Sequence, residues 1–128
     1  LPVDRLRAGL PALEAGDDVY TNHIHADDLA RACVAALRRG RPNRAYNVVD
    51  DSAMKMGDYF DLVADARGLP RPPRLPRQEL AAALSPLQWS FMGESRRIGN
   101  RRLKTELKLP LRYPTVAAGL QDAQERTA

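Results

Sequence analysis

The stretch from Val19 to Gly68 alternates between two hydrophobic periods, and that alternation narrows the folds open to this chain more than any other feature. Val19–His25 is rich in β-branched and aromatic side chains and predicts a strand. It runs into Ala26-Asp27-Asp28, after which Leu29, Ala30, Cys33, Val34 and Leu37 recur on one helical face, predicted to point inward. Asp27 and Asp28 stand where the helix dipole favours anions, with Asp28 the expected cap, and Arg38, Arg39 and Gly40 close the other end. After the turn Arg41-Pro42-Asn43, Arg44–Val49 predicts a second strand, ended by Asp50-Asp51-Ser52. A second helix is predicted over Met56–Arg67, burying Tyr59, Phe60, Val63 and Ala66, with Gly68 as its stop. Strand, helix, strand, helix is the order of an α/β domain with a parallel sheet. Parallel sheets are covered on both faces and hold several strands, so two cannot make one. The missing neighbours are expected in residues outside this chain or in another copy of it.

The flanking segments add helices rather than strands. Leu1–Gly9 reads as a short helix ending at Gly9, followed by a turn-rich loop over Pro11–Asp18. Leu69–Pro76 is too proline-rich for helix and is either an extended crossover, the favoured reading, or a polyproline ligand for a partner. Gln78–Leu84, Pro86–Met92 and Asn100–Lys108 predict short helices, and Arg96–Ile98 a short extended segment. A last helix starts with Thr115 as N-cap and runs to about Glu125. Among 128 residues the single cysteine, Cys33, excludes an intramolecular disulfide and is expected to be a small buried side chain in a reducing, cytoplasmic protein. No apolar run approaches the length of a membrane span. The formal charge of +4 invites a nucleic-acid reading. The densest basic stretch, Arg96, Arg97, Arg101, Arg102 and Lys104, carries no interleaved aromatics on which bases could stack, which disfavours it.

Three stretches in this order resemble the C-terminal half of the extended short-chain dehydrogenase/reductases, the NAD-dependent epimerase/dehydratase family. Gly16-Asp17-Asp18-Val19-Tyr20-Thr21-Asn22-His23-Ile24-His25-Ala26-Asp27-Asp28-Leu29-Ala30 is similar to that family's R-D-Y-I-H-V-x-D-L-A segment. Tyr46-Asn47-Val48-Val49-Asp50-Asp51 resembles its last sheet strand, Y-N-x-G. Asn100-Arg101-Arg102-Leu103-Lys104-Thr105-Glu106-Leu107, then Tyr113-Pro114-Thr115 and Gly119-Leu120, resemble its S-K-A-x-x-E-L-G-W segment and closing Y-P-T-x-x-x-G-L helix.

The resemblance implies the C-terminal part of a Rossmann-type parallel sheet with a small, mainly helical substrate-binding subdomain. Residues 1–55 would hold the last sheet elements and residues 56–128 the helical part. The family holds NAD or NADP on an N-terminal glycine-rich turn, and none of the eight glycines here approaches G-x-x-G-x-x-G. It carries its chemistry on a Tyr-x-x-x-Lys pair, and none of Tyr20, Tyr46, Tyr59 and Tyr113 has lysine four positions on. The expectation is therefore a portion with no catalytic and no cofactor-binding residues of its own. It is expected to need its N-terminal Rossmann half as partner, to be inactive and to bind no NAD(H) alone. Unpartnered, it is expected to self-associate as a homo-oligomer or to be partly mobile.

Candidate substrate-binding residues lie on the first predicted strand, where Thr21, His23 and His25 share one face. By the resemblance, Thr21 stands where sugar-nucleotide members place an arginine on the substrate diphosphate. Threonine carries no charge, so Arg96 or Arg97 is the candidate replacement cation for a small or nucleotide-linked polar substrate; surface solvation is the plain alternative for both. His23 and His25 with Asp27 and Asp28 are too few convergent ligands for zinc, and no metal is expected. The favoured reading of His25 is a packed histidine holding the strand-to-helix turn, with His23 lining the cleft. Trp89 with Leu87, Phe91 and Met92 reads as a small core or, alternatively, as a lid. The rival to the whole reading is a non-enzymatic, basic helical module that binds protein or nucleic acid through Arg96–Lys104 and the proline stretch.

Overall fold

The computed structural model describes residues 1–125. In chain order its elements are α1 (Val3–Arg7), β1 (Ala12–Leu13), β2 (Tyr20–Thr21), α2 (Ala26–Arg39), β3 (Met54–Lys55), α3 (Met56–Arg67), β4 (Arg74–Leu75), α4 (Arg77–Ala83), α5 (Pro86–Met92), α6 (Arg101–Thr105) and α7 (Val116–Glu125). They form two compact units, one of Leu1–Thr21 with Ala53–Arg96, the other of Asn22–Ser52 with the residues from Arg97 on.

In the first unit α3 packs on α1, β1 and β3, burying Phe60, Val63 and Ala64 beside Leu6, Ala12 and Leu13. Gly68 ends α3 in the left-handed region (φ 62°), which any other L-residue adopts only with strain. The proline stretch is the extended crossover: Pro72 is buried, and β4 pairs in parallel with β1, Ala12 opposite Arg74 and Leu13 opposite Leu75. The N–H of Ala12 donates to the Pro73 carbonyl and that of Glu14 to the Leu75 carbonyl, both at 2.9 Å. Those backbone groups are thus used inside the unit rather than offered to a partner. α5 opens with a capping box, the Ser85 side chain and Gln88 exchanging bonds with each other's backbone, and with proline in its first turn.

The second unit is built on α2. Ala32 and Ala35 are buried with Leu103, Leu107 and Leu109, and Tyr46, Val48 and Leu111 pack against that cluster. Arg44 fixes the segment after α2 by a two-pronged ion pair with Glu106. That guanidinium, against the opposing effect of desolvation, holds the Glu106 carboxyl at about 2.

Three expectations are corrected here. The strand expected over Val19–His25 in a parallel sheet is only Tyr20–Thr21, and it pairs antiparallel with the unforeseen β3. Arg44–Val49 forms no ladder among the described residues; one bond, from the N–H of Asp50 just past it to the His23 carbonyl at 2.7 Å, ties its end to the first predicted strand. The face of α2 expected to point inward points out: Leu29, Ala30, Cys33, Val34 and Leu37 are all exposed, Leu37 at 88%. Cys33 is accordingly an exposed thiol, not a buried one. Its neighbours Ala32 and Ala35 and the carboxylate of Asp28 take the inner face instead.

Candidate functional site

The sequence-predicted site residues fall in both units. In the first, Thr21 sits half-buried in β2 opposite Met54. Residues 95–96 run beside this strand: the Tyr20 N–H donates to Ser95 Oγ (3.1 Å) and the Arg96 N–H to the Tyr20 carbonyl (3.1 Å). Arg96 is thereby brought alongside β2, its guanidinium exposed and paired with Glu94 at 2.6 Å. An exposed pair of this kind is weak and screened, so the guanidinium can exchange partners. α5 leads into this segment. Met92 is buried, and Trp89 is held between the Arg77 guanidinium (4.9 Å from its ring) and Gly93. Leu87 and Phe91, one turn apart, are left exposed. The quartet read as a core or a lid is therefore half anchor and half open apolar edge.

In the second unit the Ile98 N–H donates to Asn22 Oδ1 at 3.0 Å, which places the exposed Arg97 in a segment fixed beside Asn22 and His23. His23 is half-buried, and burial lowers its imidazole pKa, so the ring is neutral at physiological pH. His25 does different work. Its Nδ1 accepts the Asp27 N–H at 3.2 Å and caps α2. Its Nε2 lies 3.7 Å from Asp122 Oδ2, its ring stacks 3.9 Å from that of Tyr113, and Gly119 lets the helix backbone approach it. Tyr113 Oη donates to the same Asp122 carboxylate at 2.9 Å. His25 thus holds the turn into α2 against α7, with its Nδ1 as the accepting nitrogen.

The expected cap, Asp28, is instead a buried anchor with no exposed surface. It accepts from Arg31 Nη1 (2.6 Å), the Tyr113 N–H (2.9 Å) and the Arg112 N–H (3.1 Å). Burial by itself would raise its pKa; the two amides and the guanidinium outweigh that and hold it below the ordinary carboxylate range.

Sequence reasoning missed a second clamp at the 49–52 corner. Asn100 Nδ2 reaches the Val49 and Asp50 carbonyls (3.0 and 3.3 Å) and Asp51 Oδ1 (2.8 Å). Lys104 pairs with Asp51 at 2.5 Å, and the Val116 N–H donates to Ser52 Oγ at 3.1 Å. Asp50 is buried there, which raises its carboxyl pKa against the opposing bonds from Ser52. The signal was present: three short polar residues ending an apolar run, with an asparagine at a predicted helix start. No group of three or more His, Cys, Asp or Glu among the described residues is placed to hold a metal ion. No described helix is long and apolar enough to cross a membrane.

Short sheets, one parallel and one antiparallel, joined by helices define a mixed α/β fold. Two solved structures resemble it over nearly the whole chain. A functionally unknown conserved protein from Silicibacter pomeroyi matches 94% of this chain and 42% of its own, with 32% identity and a TM-score of 0.82. The human epimerase family protein SDR39U1 (isoform 2), solved with NADPH, matches 96% of this chain and 41% of its own, with 20% identity and a TM-score of 0.76. The chain therefore spans about two-fifths of the length of the structures it matches. No family model matches the chain, and no curated protein does.

Proposed function

We propose that residues 1–128 are the substrate-side, C-terminal portion of a cytoplasmic NAD(P)-dependent oxidoreductase or epimerase/dehydratase of the extended short-chain type. The observation that carries this is the likeness, over 96% of this chain, to just 41% of an NADPH-bound epimerase-family protein. A fold shared with so limited a part of a cofactor-binding chain fits a portion lying outside the dinucleotide cradle.

Local geometry supports leaving the cofactor to another part of the protein. Gly57 stands in the first turn of α3, where a bare glycine could admit a phosphate. The space beside its Cα is filled by the Arg74 guanidinium, and its N–H is taken by the Asp18 carboxylate at 3.0 Å. These residues do not fit a pyrophosphate, and the dinucleotide and the Tyr/Lys pair belong in this reading to a nucleotide-binding half outside residues 1–128. The part played here is to shape the substrate pocket. In the first unit Thr21 offers a neutral hydrogen-bonding group and Arg96 a cation for a phosphate or carboxylate; in the second, taken by itself, His23 and Arg97 offer the same two chemistries, and His25 positions the turn rather than touching substrate. The exposed Leu87 and Phe91 suit an apolar portion of that substrate.

The rival nucleic-acid module draws less support, because part of the basic stretch is engaged internally. Arg102 donates to the Ala45 carbonyl and Lys104 pairs with Asp51. Calorimetric titration of NADPH into the full-length polypeptide carrying this sequence, and into residues 1–128 alone, separates the readings. Saturable micromolar binding by the full-length protein and none by residues 1–128 is expected. Equal binding by both, or none by either together with salt-sensitive DNA binding, contradicts the proposal.

A further inference from the structure

α2 is apolar on two sides. Ala32 and Ala35 are buried toward Leu103, Leu107 and Leu109. On another side Leu29, Cys33 and Leu37 follow one another at four-residue intervals, with Ala30 and Val34 as a second row beside them. Leu29 is 44%, Val34 50% and Leu37 88% exposed. The ridge from Leu29 to Leu37 runs about 12 Å along the helix, and no charged side chain interrupts it. An apolar stripe on a helix ordinarily faces a packed neighbour, and this second stripe has none among the described residues. Nearby in the same unit, the N–H groups of Tyr46, Asn47, Val48 and Val49 donate no hydrogen bond among the described residues.

We infer that this ridge is the docking face for the nucleotide-binding α/β half of the full-length polypeptide, whose β-sheet it covers. The inference rests on the proposed function for the existence of that half. Two observations choose this occupant over a second copy of the chain. The matched structures extend well past the matched region, which is 42% of one and 41% of the other. A ridge of three large side chains is a patch of at most a few hundred Å². Separate molecules need about 1,000 Å² of total buried surface to associate stably. A covalently tethered partner, at millimolar effective concentration, does not. A sheet is also the surface that leaves ladder positions open to Tyr46–Val49, and parallel sheets take helices on both faces.

Cys33, exposed in the middle of the ridge, reports on its cover. Its alkylation by N-ethylmaleimide, followed on the Cys33 peptide by mass spectrometry, is expected to be fast and independent of protein concentration in residues 1–128. In the full-length protein it is expected to slow by at least about tenfold and to recover in denaturant, since a covered thiol reacts only when its site opens. Leu37→Glu should restore fast labelling in the full-length protein while leaving the melting temperature of residues 1–128 unchanged within about 2 °C, because that side chain is already exposed. Labelling of the full-length protein as fast as that of residues 1–128 overturns the docking face. So does slow, concentration-dependent labelling of residues 1–128 alone, which assigns the ridge to a second copy. NADPH titration of the same sample keeps the two claims apart: binding with Cys33 unprotected refutes the docking face alone, and protection without binding refutes the enzymatic reading alone.

Discussion

Replacing Asp28 by alanine is expected to destabilise the folded chain by about 2–4 kcal/mol, because it takes a wholly buried acceptor away from two backbone amides and from Arg31. The carboxylate has no exposed surface and gathers Arg31 Nη1 and the amides of Arg112 and Tyr113, tying the start of α2 to the segment that leads into α7. Its removal leaves two amide donors without their acceptor and leaves Arg31 Nη1 with the Pro110 carbonyl alone. Against a total stability of about 5–15 kcal/mol typical of a domain, that loss is a large fraction and should lower the melting temperature measurably. Asp28→Asn keeps one acceptor oxygen and loses the charge, and should fall between. The pH dependence has a definite sign. Asp28 is held below its ordinary pKa when folded, so its contribution is complete above the unfolded value of about 4 and is lost as pH falls below that. The stability gap between wild type and Asp28→Asn, read from urea melts, should narrow on acidification through that range. A gap that is flat with pH, or an alanine variant within about 1 kcal/mol of wild type, is inconsistent with Asp28 as the anchor.

Gly57→Ala is expected to cost about 2–3 kcal/mol although alanine is the better helix former by about 1 kcal/mol. A methyl group at Gly57 would lie 1.5 Å from Arg74 Nη1. That guanidinium end could swing away cheaply if it were free. It is not: it donates to the Leu13 carbonyl (2.8 Å) and to Asp61 (2.8 Å) and lies 3.5 Å from Asp18, whose side chain is almost wholly buried. Displacing it breaks charge-assisted bonds of about 1.5–3 kcal/mol each. A double-mutant cycle isolates the cause. With Arg74→Ala already in place, Gly57→Ala should become neutral or stabilising by up to about 1 kcal/mol. If Gly57→Ala remains equally harmful without the arginine, the clash is not its mechanism.

Much of the helical framework was legible in the residues, because helix ends carry local chemistry. α2 ends at Arg39, just before Gly40; α3 stops at Gly68; α5 spans Pro86–Met92; and Thr115 Oγ1 accepts from Ala118 N–H at the start of α7. What periodicity could not supply was which apolar face of α2 looks inward. Leu29, Val34 and Leu37 outweigh Ala32 and Ala35 on any hydrophobic scale, yet the small alanines are what Leu103 and Leu107 pack against. The sheet was least legible. Arg74–Leu75 pairs with Ala12–Leu13 across sixty residues, and nothing local in a proline-rich run announces a partner so distant. Strand alternation put Thr21, His23 and His25 on one face, but β2 is only Tyr20–Thr21, and the placement of Arg96 alongside it rests on a backbone bond to Tyr20 that no local pattern announces. His25 and Asp28 exchanged expected roles, since either a histidine nitrogen or a carboxylate oxygen can accept the free amide at a helix start.

The central claim is that Arg44–Val49 is a sheet strand whose neighbour lies outside these 128 residues. Amide hydrogen exchange at Tyr46, Asn47, Val48 and Val49, compared between residues 1–128 and the full-length polypeptide, addresses it most directly. Rapid exchange in the shorter chain and strong protection in the longer one is the expected outcome, because only a ladder partner would occupy those N–H groups. Equal exchange at these four positions in both would mean that no strand completes this edge.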